Sequence, residues 1–122
     1  MTITITPGQR YKRGDVLLVL FPDSNLRTAK RRPVVVVQAD HLQTGLSQLI
    51  VAMITSNLAR HPHPSRVLII RKTHAGHQSG LLTDSLVMAD NLATAAEHEV
   101  DRVIGNLSMH AVDIALRHTL GL

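Results

Sequence analysis

The sequence predicts a mainly β protein: a small, strongly curved sheet or barrel of five to six strands, followed by one C-terminal α-helix. Three observations carry that expectation. Short apolar runs rich in Val, Ile and Leu recur along the chain, each bounded by Gly, Pro or a polar cluster, which is the pattern of buried strands. Only Tyr11 and Phe21 are aromatic, so the core must be built from aliphatic, largely β-branched side chains that favour sheets. Only the last stretch switches to apolar positions three and four apart, the spacing of a helix face.

In chain order, residues 1–12 read as a flexible polar lead-in. VLLVLF (16–21) is the first strand, and Pro22 ends it. DSNLRTAKRR (23–32) reads as a loop, and Pro33 opens the second strand, VVVVQA (34–39), at the position where a strand tolerates proline. LIVAMIT (49–55) is the third strand, and SNLARHPHPS (56–65), with two prolines, is a loop. RVLIIR (66–71) is the fourth, KTHAGHQSG (72–80) a second polar loop, SLVMAD (85–90) the fifth strand, and EVDRVIGNL (99–107) a sixth. Ser108 suits a helix N-cap. Met109, Val112, Leu116 and Leu120 then form an apolar face that Gly121 terminates. A length of 122 residues without repeats or linkers argues for a single domain over 1–122.

Charge narrows the partners. Thirteen Lys and Arg stand against nine Asp and Glu, a net +4 with His neutral. Seven of those cations fall in residues 1–32, against only Asp15 and Asp23. Lys30, Arg31 and Arg32 lie directly before a valine run. They read either as solvated charges protecting a strand from aggregation or as a surface facing an anion such as nucleic acid or an acidic protein tail. The scarcity of aromatics disfavours RNA binding by base stacking. With no cysteine there is no disulfide or thiolate chemistry. Neither a signal peptide nor an apolar run of membrane-spanning length is present, so a soluble cytoplasmic protein that engages no membrane is expected.

Five blocks in order, GDVLLVLF (14–21), RRPVVVVQAD (31–40), MITSN (53–57), SGLLTDSLVMADN (79–91) and GNLSMHAVDIALRHTLGL (105–122), resemble the MazF/PemK family of toxin–antitoxin ribonucleases from about Arg13 to Leu122. That resemblance implies an SH3-like barrel with a C-terminal helix, acting as a homodimer. It implies metal-independent, sequence-specific cleavage of single-stranded RNA that leaves 5′-hydroxyl ends and arrests growth. It also implies neutralisation by a cognate antitoxin whose disordered tail fills the RNA groove, and no cofactor. The family's essential arginine, just before the strand-opening proline, falls on Arg32. Its hydroxyl residue ending the third strand falls on Thr55, and its acidic–amide pair falls on Asp90 and Asn91. Three positions depart from the family pattern: Arg27 stands in place of a loop glutamate, Met88 in place of an arginine, and Ala93 in place of a basic residue. They keep open a non-enzymatic alternative, a binding module that inhibits a protein such as a topoisomerase or an inactive relative.

The residue types suit the chemistry. Attack of a ribose 2′-oxygen on the adjacent phosphorus places charge on phosphoryl oxygens. A guanidinium such as Arg32 binds two of these at once and stays charged, and Thr55 supplies a further donor. Arg27, Lys30, Arg31, Ser56, Asn57, Arg71 and Lys72 are the candidate RNA-tracking residues, giving salt-dependent contacts that do not read sequence. The base is open. Asp90 is the candidate if it is buried beside Arg32, although that contact would lower its pKa and weaken it as a base. His61, His63, His74 and His77 lie in loops without metal-site spacing, so no metal is expected.

Overall fold

The computed structural model describes residues 10–122; most of the lead-in expected at 1–12 lies outside them. The strands are β1 (Asp15–Pro22), β2 (Ala29–Val36), β3 (Gln48–Thr55), β4 (Arg66–Ile69), β5 (Ser85–Ala96) and β6 (Val100–Asn106). Two α-helices accompany them, α1 (His74–Ser79) and α2 (His110–Leu120). All strand pairs are antiparallel, in one sheet of order β4-β5-β3-β2-β1-β6. The sheet is barrel-like but not closed, with β4 and β6 as its edges.

The valine run shows how sequence becomes packing. Successive side chains of a strand point to opposite faces, so a run without polar alternation needs cover on both. Val35 and Val37 pack into a cluster with Val16, Ala52, Val87 and Val112. Val34 and Val36 pack into a second cluster with Leu17, Val19, Leu49 and Val51, against which Tyr11 and Phe21 rest. Each fully buried Val or Leu contributes about 1.5–3 kcal/mol. Helix α2 covers the first cluster through Val112, with Leu116 packed against it, and also buries Ala115. Arg13 holds that helix in place, donating from Nε to the Val37 carbonyl (2.9 Å) and pairing with Asp113 at 2.6 Å.

Several boundaries differ from the sequence expectation. Strand β2 begins at Ala29, so Lys30, Arg31 and Arg32 lie in a strand rather than a loop, opposite Phe21, Leu20 and Val19 of β1. Pro33 sits inside β2, not at its start; β3 pairs only with Val34–Val36, so at Pro33 the strand has one neighbour, and an edge tolerates proline. The polar segment 72–80 contains α1, where the Thr73 side chain caps the Gly76 N–H and Gly80 ends the helix at φ 71°; composition hid a helix of only six residues. Strand β5 runs on to Ala96, but its pairing to β3 jumps from Met53↔Met88 to Ala52↔Leu92. Ala89, Asp90 and Asn91 therefore bulge without partners in β3. Helix α2 is capped at Met109 without a side-chain bond, not by Ser108, and Leu120 is 53% exposed rather than part of the buried face.

Candidate active site

The site grows out of one interrupted ladder. Strands β2 and β3 pair as Val36↔Val51, Val35↔Ala52 and Val34↔Met53, and there the pairing stops. Continued in the same register, Pro33 would oppose Ile54 and Arg32 would oppose Thr55. Proline has no N–H to contribute to a ladder, and beyond it the strands part. A cleft of about 390 Å³ opens there, with Arg32, Pro33, Ile54 and Thr55 in its wall. That volume lies in the range of small-ligand pockets, roughly 300–1,000 Å³. The opposite wall is the segment 80–85, and β6 adds Arg102 and Ile104.

Glycine fixes that opposite wall. Gly80 has φ 71°, and a Cβ on it would lie 2.0 Å from the Ile104 carbonyl oxygen. Only a residue without a side chain lets the segment press so closely against β6.

Arg32 and Thr55, the two residues singled out from the sequence for phosphate chemistry, line the same cleft although 23 positions apart. The Arg32 guanidinium lies 3.6 Å from Asp23. The Thr55 hydroxyl oxygen accepts the Asn57 N–H at 3.1 Å, which orients the group and leaves its own proton to donate. Arg31 and Ser56 also line the cleft. Alternation along β2 sets Arg31 on the face of Pro33 and Leu18 and Arg32 on that of Val34 and Val19; both reach the cleft, and Arg31 also pairs with Asp101 at 3.3 Å.

The remaining candidates lie elsewhere. Arg27 is exposed in the β1–β2 turn, its N–H bonded to the Asn25 side chain. Lys30 is exposed on β2. Asn57 caps the 3-10 turn Leu58–Arg60 through its carboxamide oxygen. Arg71 and Lys72 are exposed between β4 and α1, with the Arg71 N–H bonded to Asp84.

Asp90 lies in the β5 bulge and pairs with Arg66 at 2.8 Å. It does not line the cleft. The Arg66 hydrogen bond holds its carboxyl below the usual carboxylate range, with desolvation opposing. The arginine beside it is Arg66, not Arg32. His61, His63, His74 and His77 are exposed and outside the cleft lining. Among the described residues no three His, Asp or Glu gather as metal ligands.

Sequence reasoning missed Arg102, which opposes Leu18 of β1 and reaches the cleft from the far side of that strand. It also missed the hydroxyls of Thr83 and Ser85. The only advance signal was a cation inside a predicted strand, which does not reveal what that strand neighbours.

Known proteins resemble this chain over nearly its full described length. The family profile described as "PemK-like, MazF-like toxin of type II toxin-antitoxin system" matches residues 12–120. A protein of Mycobacterium tuberculosis named endoribonuclease MazF6 is 35% identical over 107 residues, covering 84% of this chain and 90% of the relative. Endoribonuclease MazF2 of Mycobacterium bovis matches with the same figures. Among solved structures, an "Endoribonuclease in complex with its cognate antitoxin from Mycobacterial species" shares the fold with TM-score 0.70, at 22% identity, covering 92% of this chain and 96% of that one.

Proposed function

Since the chain belongs to the PemK-like, MazF-like toxins of type II toxin–antitoxin systems, we propose that it is the toxin of such a pair, an endoribonuclease that cuts single-stranded RNA in the cleft between β2 and β3. In the reaction the ribose 2′-oxygen attacks phosphorus, the O2′–P bond forms and the P–O5′ bond breaks. The products are a cyclic phosphate and a 5′-hydroxyl. The 2′-proton leaves to a base, and a proton reaches the departing 5′-oxygen. Arg32 grips the phosphoryl oxygens with its planar fork, and Thr55 donates to the same group. Preorganised donors of this kind each contribute about 3–4 kcal/mol to transition-state stabilisation. The chemistry rests on fixed side-chain donors, so cleavage is expected to persist in EDTA.

The observation that carries this reading is the shared cleft of Arg32 and Thr55 where the ladder stops. The Arg66 pairing of Asp90 supports a structural role for that carboxylate in the bulge, since an ion-paired acid of lowered pKa is a poor base. Arg31 and Ser56 line the RNA path in the cleft, while Arg27, Lys30, Asn57, Arg71 and Lys72, exposed outside its lining, are proposed to contact the RNA only beyond it. The natural partners are RNA, a cognate antitoxin that covers the cleft, and a second copy of the chain. Among the described residues no helix is long and apolar enough to cross a membrane, and the proposed site of action is the cytoplasm.

Relatives at 35% identity that are named endoribonucleases leave the non-enzymatic module unfavoured. Incubating the purified protein with RNA in EDTA and mapping the ends tests the reading. New 5′-hydroxyl ends are expected from the wild type. Arg32→Ala is expected to lose cleavage while keeping its circular dichroism and thermal transition. Cleavage by a folded Arg32→Ala protein would remove the role, and intact RNA with growth arrest would restore the binding module.

A further inference from the structure

We infer that Asp23 is the positioning residue for the Arg32 guanidinium, fixing it toward a phosphodiester in the cleft; the inference rests on the ribonuclease reading above. Asp23 follows β1 directly, and its N–H donates to the Thr28 carbonyl at 2.9 Å, closing the β1–β2 turn. One carboxylate oxygen accepts the Thr28 hydroxyl at 2.6 Å. The other lies 3.6 Å from the Arg32 guanidinium. The register explains why these three meet. Asp23 and Thr28 extend the β1–β2 pairing Pro22↔Ala29, and Arg32 lies an even number of residues from Thr28, so all three share one face.

Two features separate this pair from an incidental surface contact. The Asp23 side chain is only 17% exposed, against 33% for Asp101, the partner of the neighbouring Arg31. The Thr28 hydrogen bond also pins the carboxylate, so it cannot follow a mobile guanidinium. The charge that holds Arg32 is therefore anchored to the rigid turn.

The contact is longer than a hydrogen bond, for which 2.7–3.2 Å is typical. Five N–H donors radiate from a guanidinium, and a carboxylate at this distance leaves a full edge for two phosphate oxygens. Asp23 therefore orients Arg32 without occupying the edge that a phosphate needs. It also places a fixed anion beside a guanidinium that stays 47% exposed, so the group is held in place before RNA arrives while remaining open to a ligand.

The test compares Asp23→Asn, Asp23→Glu and Thr28→Val with wild type and Arg32→Ala. The readouts are steady-state cleavage of a short RNA and binding of the same RNA with a 2′-deoxy group at the cut site. Asp23→Asn is expected to lower kcat about tenfold to a hundredfold, as a misplacement on the order of 1 Å does, with a smaller change in KM. Asp23→Glu should recover part of that loss, and Thr28→Val should lower kcat in the same direction by less. In the Arg32→Ala background, Asp23→Asn should leave binding of the 2′-deoxy RNA unchanged, because a residue acting through another adds nothing once that residue is gone. Full kcat in both Asp23→Asn and Thr28→Val would overturn the inference, as would an equal binding loss from Asp23→Asn with and without Arg32. If Arg32→Ala itself cleaves normally, the ribonuclease reading fails instead. Should Asp23→Asn not fold, Thr28→Val alone decides between a lowered and an unchanged kcat.

Discussion

Arg31 and Arg32 are chain neighbours with different surroundings. Strand alternation sends Arg31 across β1 to Asp101 of β6, with 63% of its side chain exposed. Arg32 meets Asp23 instead, at 47% exposure. Both line the cleft, so neighbouring cations there are held by carboxylates from different parts of the fold, Asp101 of β6 and Asp23 of the β1–β2 turn. Asp90 teaches the complementary lesson. Its pKa is lowered chiefly by the hydrogen bond from Arg66, so the ionised form is favoured in the folded state. That stability is present above the usual carboxylate range and is lost as pH falls through the lowered folded value. Asp90→Asn is therefore expected to cost about 0.5–1 kcal/mol at neutral pH and little in strong acid, as thermal unfolding across pH would show. Cleavage by that variant should stay within a few-fold of wild type; a loss as large as that of Arg32→Ala would return Asp90 to the reaction.

At the scale of elements, the cleft depends on where pairing fails. Pro33 removes an N–H at the point where β2 would otherwise continue along β3. Pro33→Val supplies that N–H and a good strand former. The ladder is then expected to reach toward Arg32 and Thr55, narrowing the cleft. Cleavage should fall about tenfold or more, because the reacting groups are displaced, while thermal stability is held or raised. Unchanged turnover in Pro33→Val would show that the proline does not keep the cleft open. Gly80 is the other structural requirement. Gly80→Ala places a Cβ at φ 71° and against the Ile104 carbonyl. It should destabilise by about 1–3 kcal/mol, measurable as a lower denaturation midpoint with unchanged slope.

Across the whole molecule, a net charge of +4 and three cleft arginines, Arg31, Arg32 and Arg102, favour an anionic polymer as ligand. If all three contact phosphates, the logarithm of the RNA binding constant should fall against the logarithm of salt concentration with a slope of about −2. A slope near zero would show that the cleft does not grip the backbone. Self-association is expected to use surface that the monomer leaves uncovered. The buried face of α2 is consumed by its own core, but Ile114 and Leu120 remain 54% and 53% exposed. Ile114→Asp with Leu120→Asp should shift sedimentation toward a monomer without unfolding the chain.

How much could be read in advance follows from range. Local chemistry determined the β-rich class, the terminal helix and its Gly121 stop, because apolar period, β-branching and a left-handed cap act within a few residues of themselves. Helix α1 escaped because a single capped turn and a half carries almost no periodic signal. The extension of β2 through Lys30–Arg32 escaped because an edge segment paired on one side needs no apolar face. Resemblance pointed to Arg32 and Thr55 as a pair. Their common cleft, the carboxylate behind Arg32, the partner of Asp90 and the arrival of Arg102 were decided by the tertiary structure alone. Each depends on strand register, and register is set by the packing of both sheet faces together rather than by any stretch of sequence read by itself.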